Sequence, residues 1–328
     1  MMRRRTLLTA FGLSFLAAPL AVFAQQQSKV WRIGSLHASA RPADGSPPAA
    51  LREGLAALGY VEGRNVVYEG RWAEGKLARL PELAAELVRL RVDAIMVQGG
   101  PASAAAKHAT STIPIITVGA GDAVASGLVA SLSHPGGNLT GITDLAIELS
   151  AKRLEILKEV VPKATRVAVL WNADNPAMTL RYQQVEKAAR VLRVAVHPLG
   201  VREPEDFDAA FSAMTRERPD ALFMVADVLT NLNRKRVIEF AAVQRIPAMY
   251  EIDSVVQDGG LISYGPRFDD NFRRAAYYVD RIFKGTKPGD LPMEQPTRFY
   301  LFVNLNTAKA LGITIPQSIL LRADKVIE

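Results

Sequence analysis

The chain has 328 residues, 49% of them hydrophobic and 22% charged, with a formal net charge of +7 and no cysteine. That length accommodates two cores, and that balance excludes an intrinsically disordered chain. The lack of cysteine excludes disulfides, thiolate metal sites, a cysteine nucleophile and a lipid-modified cysteine tether.

The first stretch, "MMRRRTLLTAFGLSFLAAPLAVFAQQQ", has a basic start (Arg3, Arg4, Arg5), an apolar run from Leu7 to Phe23, and small residues at Val22 and Ala24. It reads as a secretory signal cleaved after Ala24. The other reading, an N-terminal membrane anchor, suits it less well. Gly12, Ser14 and Pro19 interrupt an apolar run that is already short for a span. Arg4-Arg5 before Thr6 resembles a twin-arginine signal, so both export routes stay open. Without residues 1–24 the charge falls from +7 to +4, because three Arg and no acid are lost. The remaining excess is spread out, and "NRKR" at Asn233 sits in a helical pattern, where such a cluster is usually a solvated face. No basic run is interleaved with aromatics, so no nucleic-acid partner is expected.

"VWRIGSLHA" (Val30 to Ala38) is a predicted buried strand, followed by a helix in which Leu51, Leu55 and Leu58 share one face. The strand "NVVYEGRWA" leads to a helix with a Leu80, Leu83, Leu87, Leu90 stripe. The strand "VDAIMVQGG", the helix "ASAAAKHAT", the strand "IPIITVG", a helix from about Ala123 to Leu132, and "NLTGITD" complete a first unit. A charged helix from Ile147 to Val160 opens a second. Its strands are "RVAVLWN", "VAVHPLG", "DALFMVA" and "IPAMYEI", with helices starting near Pro176, Glu205 and Leu229. The tail adds a helix ended by Gly285, a Pro-rich connector, the strand "TRFYLFVNL", and a short helix closed by Gly312.

Four short phrases of the first unit return in the second, in the same order and 123 to 134 residues later. "RIGSL" at Arg32 becomes "RVAVL" at Arg166, and "VDAIMV" at Val92 becomes "PDALFMV" at Pro219. "IPIITVGAGD" at Ile113 returns as "IPAMYEID" at Ile246, and "GGNLTGIT" at Gly136 as "GGLISYG" at Gly259. Apolar strands each followed by a helix predict parallel sheets covered on both faces. The expected fold is therefore α/β: two Rossmann-like, doubly wound lobes. A helix, strand and helix after two complete lobes imply crossing back, hence a hinge of multiple crossovers.

Catalytic signatures are lacking in the sequence. The histidines (His37, His108, His134, His197) show no metal-ligand spacing, and no G-x-S-x-G or Gly-Lys-Ser/Thr phosphate loop occurs. "GAGDAV" at Gly119 puts Val124 where a dinucleotide loop needs its third Gly. No enzyme activity, cofactor or metal is expected. Ligands of open α/β sheets sit beyond the carboxyl ends of the strands. Those positions supply Ser35, His37, Gly99, Gly100, Ser103, Asp122, Asn172, Asn175, Asp227, Tyr250, Glu251 and Tyr264 as candidate ligand-binding residues. Gly99-Gly100 lets backbone approach closely, with free helix N–H groups after Pro101 for an anion such as a carboxylate. Asp122, Asp227 and Glu251 are candidates for holding an ammonium, with Trp171, Tyr250 and Tyr264 as apolar walls. Each acid also suits a helix cap, Asp122 and Asp174 in particular.

Several longer stretches resemble the ABC transporter substrate-binding proteins of the tryptophan/tyrosine type, over nearly the whole chain. They are "GYVEGRNV" at Gly59, "RWAEGKLARLPELAAELV" at Arg71, "GDAVASGLVASLSHPGGNLTGIT" at Gly121, "KRLEILKEVVPKATRVAVLWNADNP" at Lys152, "GGLISYGP" at Gly259 and "VNLNTAKALGITIPQSILLRADKVIE" at Val303. The usual Gly-Asp-Pro-Val of the family has Ala123 in place of proline here. The resemblance implies a type I periplasmic-binding fold that closes on a small organic solute, an amino acid among the options. It also implies delivery to a cognate ABC permease in the inner membrane. A ligand-sensing partner of a membrane receptor, or an exported α/β enzyme, are the alternative functions. The expected organisation is a signal peptide over 1–24, an N-terminal lobe from 25–145 with about 267–290, and a C-terminal lobe from 146–266 with about 291–328. A periplasmic monomer is expected.

Overall fold

The computed structural model describes residues 29–144 and 146–328, so the expected leader lies outside the described residues. The first lobe runs β1 (Trp31–His37), α1 (Ala49–Ala57), β2 (Val66–Trp72), α2 (Leu80–Arg89), β3 (Ala94–Gln98), α3 (Gly100–Ala109), β4 (Ile115–Val118) and β5 (Leu139–Ile142). After α4 (Ala146–Val160) come β6 (Arg166–Asn172), α5 (Pro176–Val191), β7 (Ala195–Val201), α6 (Asp206–Glu217), β8 (Ala221–Met224), α7 (Val228–Leu232), α8 (Arg234–Val243), β9 (Ala248–Tyr250), α9 (Asp253–Gln257) and β10 (Ile262–Gly265). The chain ends with α10 (Phe268–Phe283), β11 (Tyr300–Asn304), α11 (Leu305–Leu311), α12 (Gln317–Leu320) and β12 (Lys325–Ile327).

The first sheet has the order β2-β1-β3-β4-β5, all parallel. The second repeats it as β7-β6-β8-β9-β10, then adds β11 antiparallel to β10 and β12 parallel to β11. The four echoed phrases therefore occupy equivalent strands, the first, third, fourth and fifth of each lobe. Each sheet is covered on both faces. One apolar cluster of the first lobe holds Leu36, Val97 and Ile115 with Leu83 and Leu87 of α2; the opposite cluster holds Ile33, Met96 and Ile116 with Leu51 and Leu55 of α1. In the second lobe, Val169 and Phe223 face α4 and α5, whereas Leu170 and Met224 face α6 and α8.

The helix that follows the fifth strand of each lobe is exchanged. After β5, α4 packs on α5, β9 and β10 of the second lobe; after β10, α10 packs on α1, β4 and β5 of the first. The burial of α10 is extensive, with Phe272, Ala275, Ala276, Val279, Ile282 and Phe283 all inside. Each large apolar side chain so buried contributes about 1.5–3 kcal/mol, so α10 is integral to the lobe it enters.

Several expectations need correction. No helix spans Ala123–Leu132. Asp122 Oδ1 accepts from the Val124 and Ala125 N–H groups, but the chain turns at Gly127 with φ 69°, a left-handed conformation that ends the turn before it propagates. The helix expected near Leu229 is two, α7 and α8, meeting at Asn233. Leu58 ends α1 exposed instead of joining the Leu51–Leu55 face. Leu291 and Met293 are buried in first-lobe clusters, and Glu294 N–H donates to the Gly141 carbonyl.

Candidate ligand-binding cleft

The carboxyl ends of the parallel strands of both sheets border the same cleft, and the lobes touch across it. A side chain on Gly75 would meet Leu232 of α7 at 2.8 Å, and one on Gly121 would meet Ala177 of α5 at 3.9 Å. Val228, the first residue of α7, packs against the apolar cluster of the first lobe.

At the base of this cleft lies a buried ionic network centred on Arg181. Its Nη2 donates to both oxygens of Asp144 at 2.7 and 2.8 Å, and its Nη1 donates to Glu251 Oε2 at 3.0 Å. Arg153 Nη1 stands 3.1 Å from Glu251 Oε1, and its Nε donates to the Tyr264 carbonyl at 2.6 Å. The side chains of Arg153, Arg181 and Glu251 are 1%, 5% and 3% exposed. Burial pulls the Arg181 guanidinium down, but Asp144 and Glu251 outweigh it and hold the group above its ordinary range. Burial of Arg153 dominates instead and lowers it, with Glu251 opposing. Asp144 sits on the passage from β5 to α4, so the network joins that passage to α4, α5, β9 and β10.

Glu251 is thus committed to two guanidinium groups, and no free carboxylate charge remains there for a ligand ammonium. Tyr250 is buried within the second-lobe core, its ring close to Gly260, and does not wall the cleft. Its hydroxyl is pushed well above the ordinary tyrosine range by burial. Ser103 is turned inside α3, its Oγ bonded to the Gly99 carbonyl at 2.8 Å and within 2.7 Å of Thr117 Oγ1.

Asn172, Asn175 and Asp227 are brought together. The two amides donate to Asp227 Oδ1 and Oδ2 at 2.8 and 2.9 Å, and Asp227 Oδ1 also caps α7 through the Leu229 N–H. Asn175 Oδ1 caps α5 through Ala177 N–H. This cluster fixes the ends of β6 and β8 and the starts of α5 and α7. Gly99, with φ 81°, turns β3 into α3, and Gly100 opens that helix. Asp122 is exposed and caps its turn. Tyr264 is half-buried, tilted 49° to Phe299 at 6.2 Å.

Ser35 and His37 lie at the cleft end of β1. Both are buried, and neither Ser35 Oγ nor His37 Nε2 has a hydrogen-bond partner in the protein. Burial pushes the His37 imidazole down from 6.5 to about 4, and its ring stacks with Trp72 at 5.7 Å. Among the described residues, no group of His, Asp and Glu is placed to hold a metal, and no helix is long and apolar enough to cross a membrane.

Sequence reasoning missed Arg153, Arg181 and Asp144. A signal for Arg181 was present: it falls on the buried stripe of α5 with Met178, Val185 and Ala189, where a helix of ordinary amphipathicity places an apolar residue.

The sequence of this two-lobed chain matches the family model of the ABC transporter substrate binding proteins over residues 45–327. The chain belongs to that family. The family is one of solute-binding proteins that work with ABC permeases, not one of enzymes. A tyrosine-binding protein of Clostridioides difficile (strain R20291) is 27% identical over 256 residues, 78% of this chain and 73% of that protein. A conserved domain protein of Vibrio cholerae, solved as a crystal structure, superposes with a TM-score of 0.85 at 26% identity, covering 91% of this chain and 100% of its own. A Streptococcus pneumoniae ABC domain in complex with L-Trp gives 0.81 at 24%, covering 90% and 100%.

Two outcomes test this geometry. Arg181→Met removes the guanidinium that Asp144 and Glu251 share in a buried network, and denaturant unfolding should show a loss of about 3–5 kcal/mol. For His37, the folded state binds its proton less readily than the unfolded chain, so stability falls as pH drops from about 6.5 towards 4. The parent should lose about 3 kcal/mol more over that window than His37→Gln, which cannot titrate, in parallel melts.

Proposed function

We propose that this protein is the exported solute receptor of an ABC importer for an L-amino acid with an aromatic side chain. The observation that carries the reading is the meeting of two equivalent lobes across their strand ends, at Gly75–Leu232 and Gly121–Ala177. A ligand held there is enclosed by both lobes. Separation of the lobes admits the ligand, and closure presents the filled form to the permease. The aromatic amino acid is supported by the tyrosine-binding relative and by the L-Trp complex of a structural neighbour. Gly99, Gly100, Asp122, Ser35, His37 and Tyr264 supply the first-lobe and rim contacts, and the Asn172–Asn175–Asp227 cluster braces the second lobe. The protein acts as a monomer, free in the periplasm after cleavage following Ala24.

A thermal-shift screen of the twenty amino acids tests the ligand class. An L-aromatic amino acid should give the largest stabilisation, about 2.7 kcal/mol when present at a hundred times its Kd. A screen in which only non-aromatic solutes shift the melt would remove the reading. For export, Edman sequencing of the periplasmic fraction should begin at Gln25; an intact Met1 in the membrane pellet would contradict cleavage.

A further inference from the structure

In β1 the side chains alternate between faces, so Ile33, Ser35 and His37 share one and Leu36 and Ala38 the other. Ser35 pairs in register with Gly70 of β2, and His37 with Trp72. The Trp72 ring folds back over Gly70 and fills the place where a β-carbon would stand, so only glycine there lets the indole lie flat beside Ser35. The His37 and Trp72 rings are within 10° of parallel. This end of β1 thus combines a flat aromatic wall with two buried polar atoms, Ser35 Oγ and His37 Nε2, that have no protein partner.

Such atoms are rare in folded proteins, because a buried donor or acceptor left unpaired gives up its bonds to water without replacement. The other polar side chains at the strand ends differ: Glu251 Oε1 also lacks a hydrogen bond, but it stands 3.1 Å from the Arg153 guanidinium. Asn172, Asn175 and Asp227 satisfy one another, and Glu251 is held by Arg181 and Arg153. Ser35 and the neutral imidazole of His37 each donate or accept, and neither carries charge. The cation beside them, Arg41, lies over the Trp72 ring at 5.2 Å from its centroid.

We propose that Ser35 and His37, beside the Trp72 ring, form the subsite that reads the ligand's side chain and takes a neutral hydrogen-bonding group carried on an aromatic ring, a phenol hydroxyl or an indole N–H. This rests on the amino-acid reading above and adds to it a basis for choosing among aromatic side chains. A site built to hydrogen-bond such a group rejects the analogue that lacks it, since the buried partners are then left unpaired. Tyrosine and tryptophan satisfy the pair; phenylalanine does not.

Isothermal titration with L-tyrosine, L-tryptophan and L-phenylalanine decides the point. The parent protein should bind tyrosine or tryptophan at least about tenfold more tightly than phenylalanine. Ser35→Ala and His37→Phe, made separately and checked for parent-like circular dichroism, should bring that ratio to within about threefold, whereas His37→Gln, which keeps a neutral hydrogen-bonding group, should retain most of it. Comparison of tyrosine with tryptophan separates the phenol from the indole. Equal binding of phenylalanine by the parent would overturn the subsite while leaving the amino-acid reading intact. So would a ratio unchanged in both Ser35→Ala and His37→Phe. Failure of all three amino acids to bind would overturn both.

Discussion

The cleft depends on one guanidinium. Arg181 reaches from the second lobe to Asp144, on the first passage between lobes, and to Glu251 at the end of β9, while Arg153 closes the group from α4. Removing ions of this size from water costs several kcal/mol each, and their mutual attraction restores it only when geometry is good and remaining hydrogen bonds are made. Charge-assisted bonds from Nη2 to both oxygens of Asp144, at 2.7 and 2.8 Å, and from Nη1 to Glu251, at 3.0 Å, meet that condition. What such a network provides is less net stability than specification. The passage, α4, α5, β9 and β10 have one mutual placement in which every charge is answered, and other placements leave one stranded in the interior.

This constraint decides what can move. Each lobe gives up the helix after its fifth strand and receives the other's, so neither sheet is covered without the exchange. The helices are held by whole apolar faces, as the burial along α10 illustrates. Across the cleft mouth, small or aliphatic residues meet: Gly75 with Leu232, Gly121 with Ala177, and Val228 with the first-lobe cluster. Separating those costs far less than extracting α4 or α10 or parting Arg181 from Asp144. Rotation of the lobes about the passages, with the network intact, is therefore the least costly motion this architecture permits.

The repeat was legible because buried strands announce themselves. The echoed phrases landed on the equivalent strands of each sheet, and Pro and Gly marked the turns between them. The stretch after Asp122 misled because "AVASGLVASL" has helical composition, while the left-handed turn at Gly127 is a tertiary outcome that local propensity does not encode. Glu251 illustrates a different limit. An acid at a strand end looks available for a ligand until the partner is known, and its partners, Arg153 and Arg181, stand 98 and 70 positions earlier. Pairing over such distances leaves no periodic trace. Arg181, on a buried helix stripe, misfits its face and so pointed to a partner.

The division of polar groups between the lobes has a consequence for binding. In the second lobe, Asp227 receives both asparagine amides and caps α7, so its rotamer and theirs are fixed before any ligand arrives. Side chains already ordered add no further entropy cost on association, which for a mobile polar side chain is about 0.5–1.5 kcal/mol. A braced second lobe therefore contributes shape and rigidity. In the first lobe, Ser35 and His37 are also immobilised, by burial and by the stack on Trp72, but their hydrogen-bonding capacity is unspent. Immobile and unpaired groups reward a matching ligand without a reorganisation penalty and penalise a mismatched one with the full cost of their burial. On the proposed subsite, selectivity concentrates where the fold leaves Ser35 Oγ and His37 Nε2 without partners, not where its charges are densest.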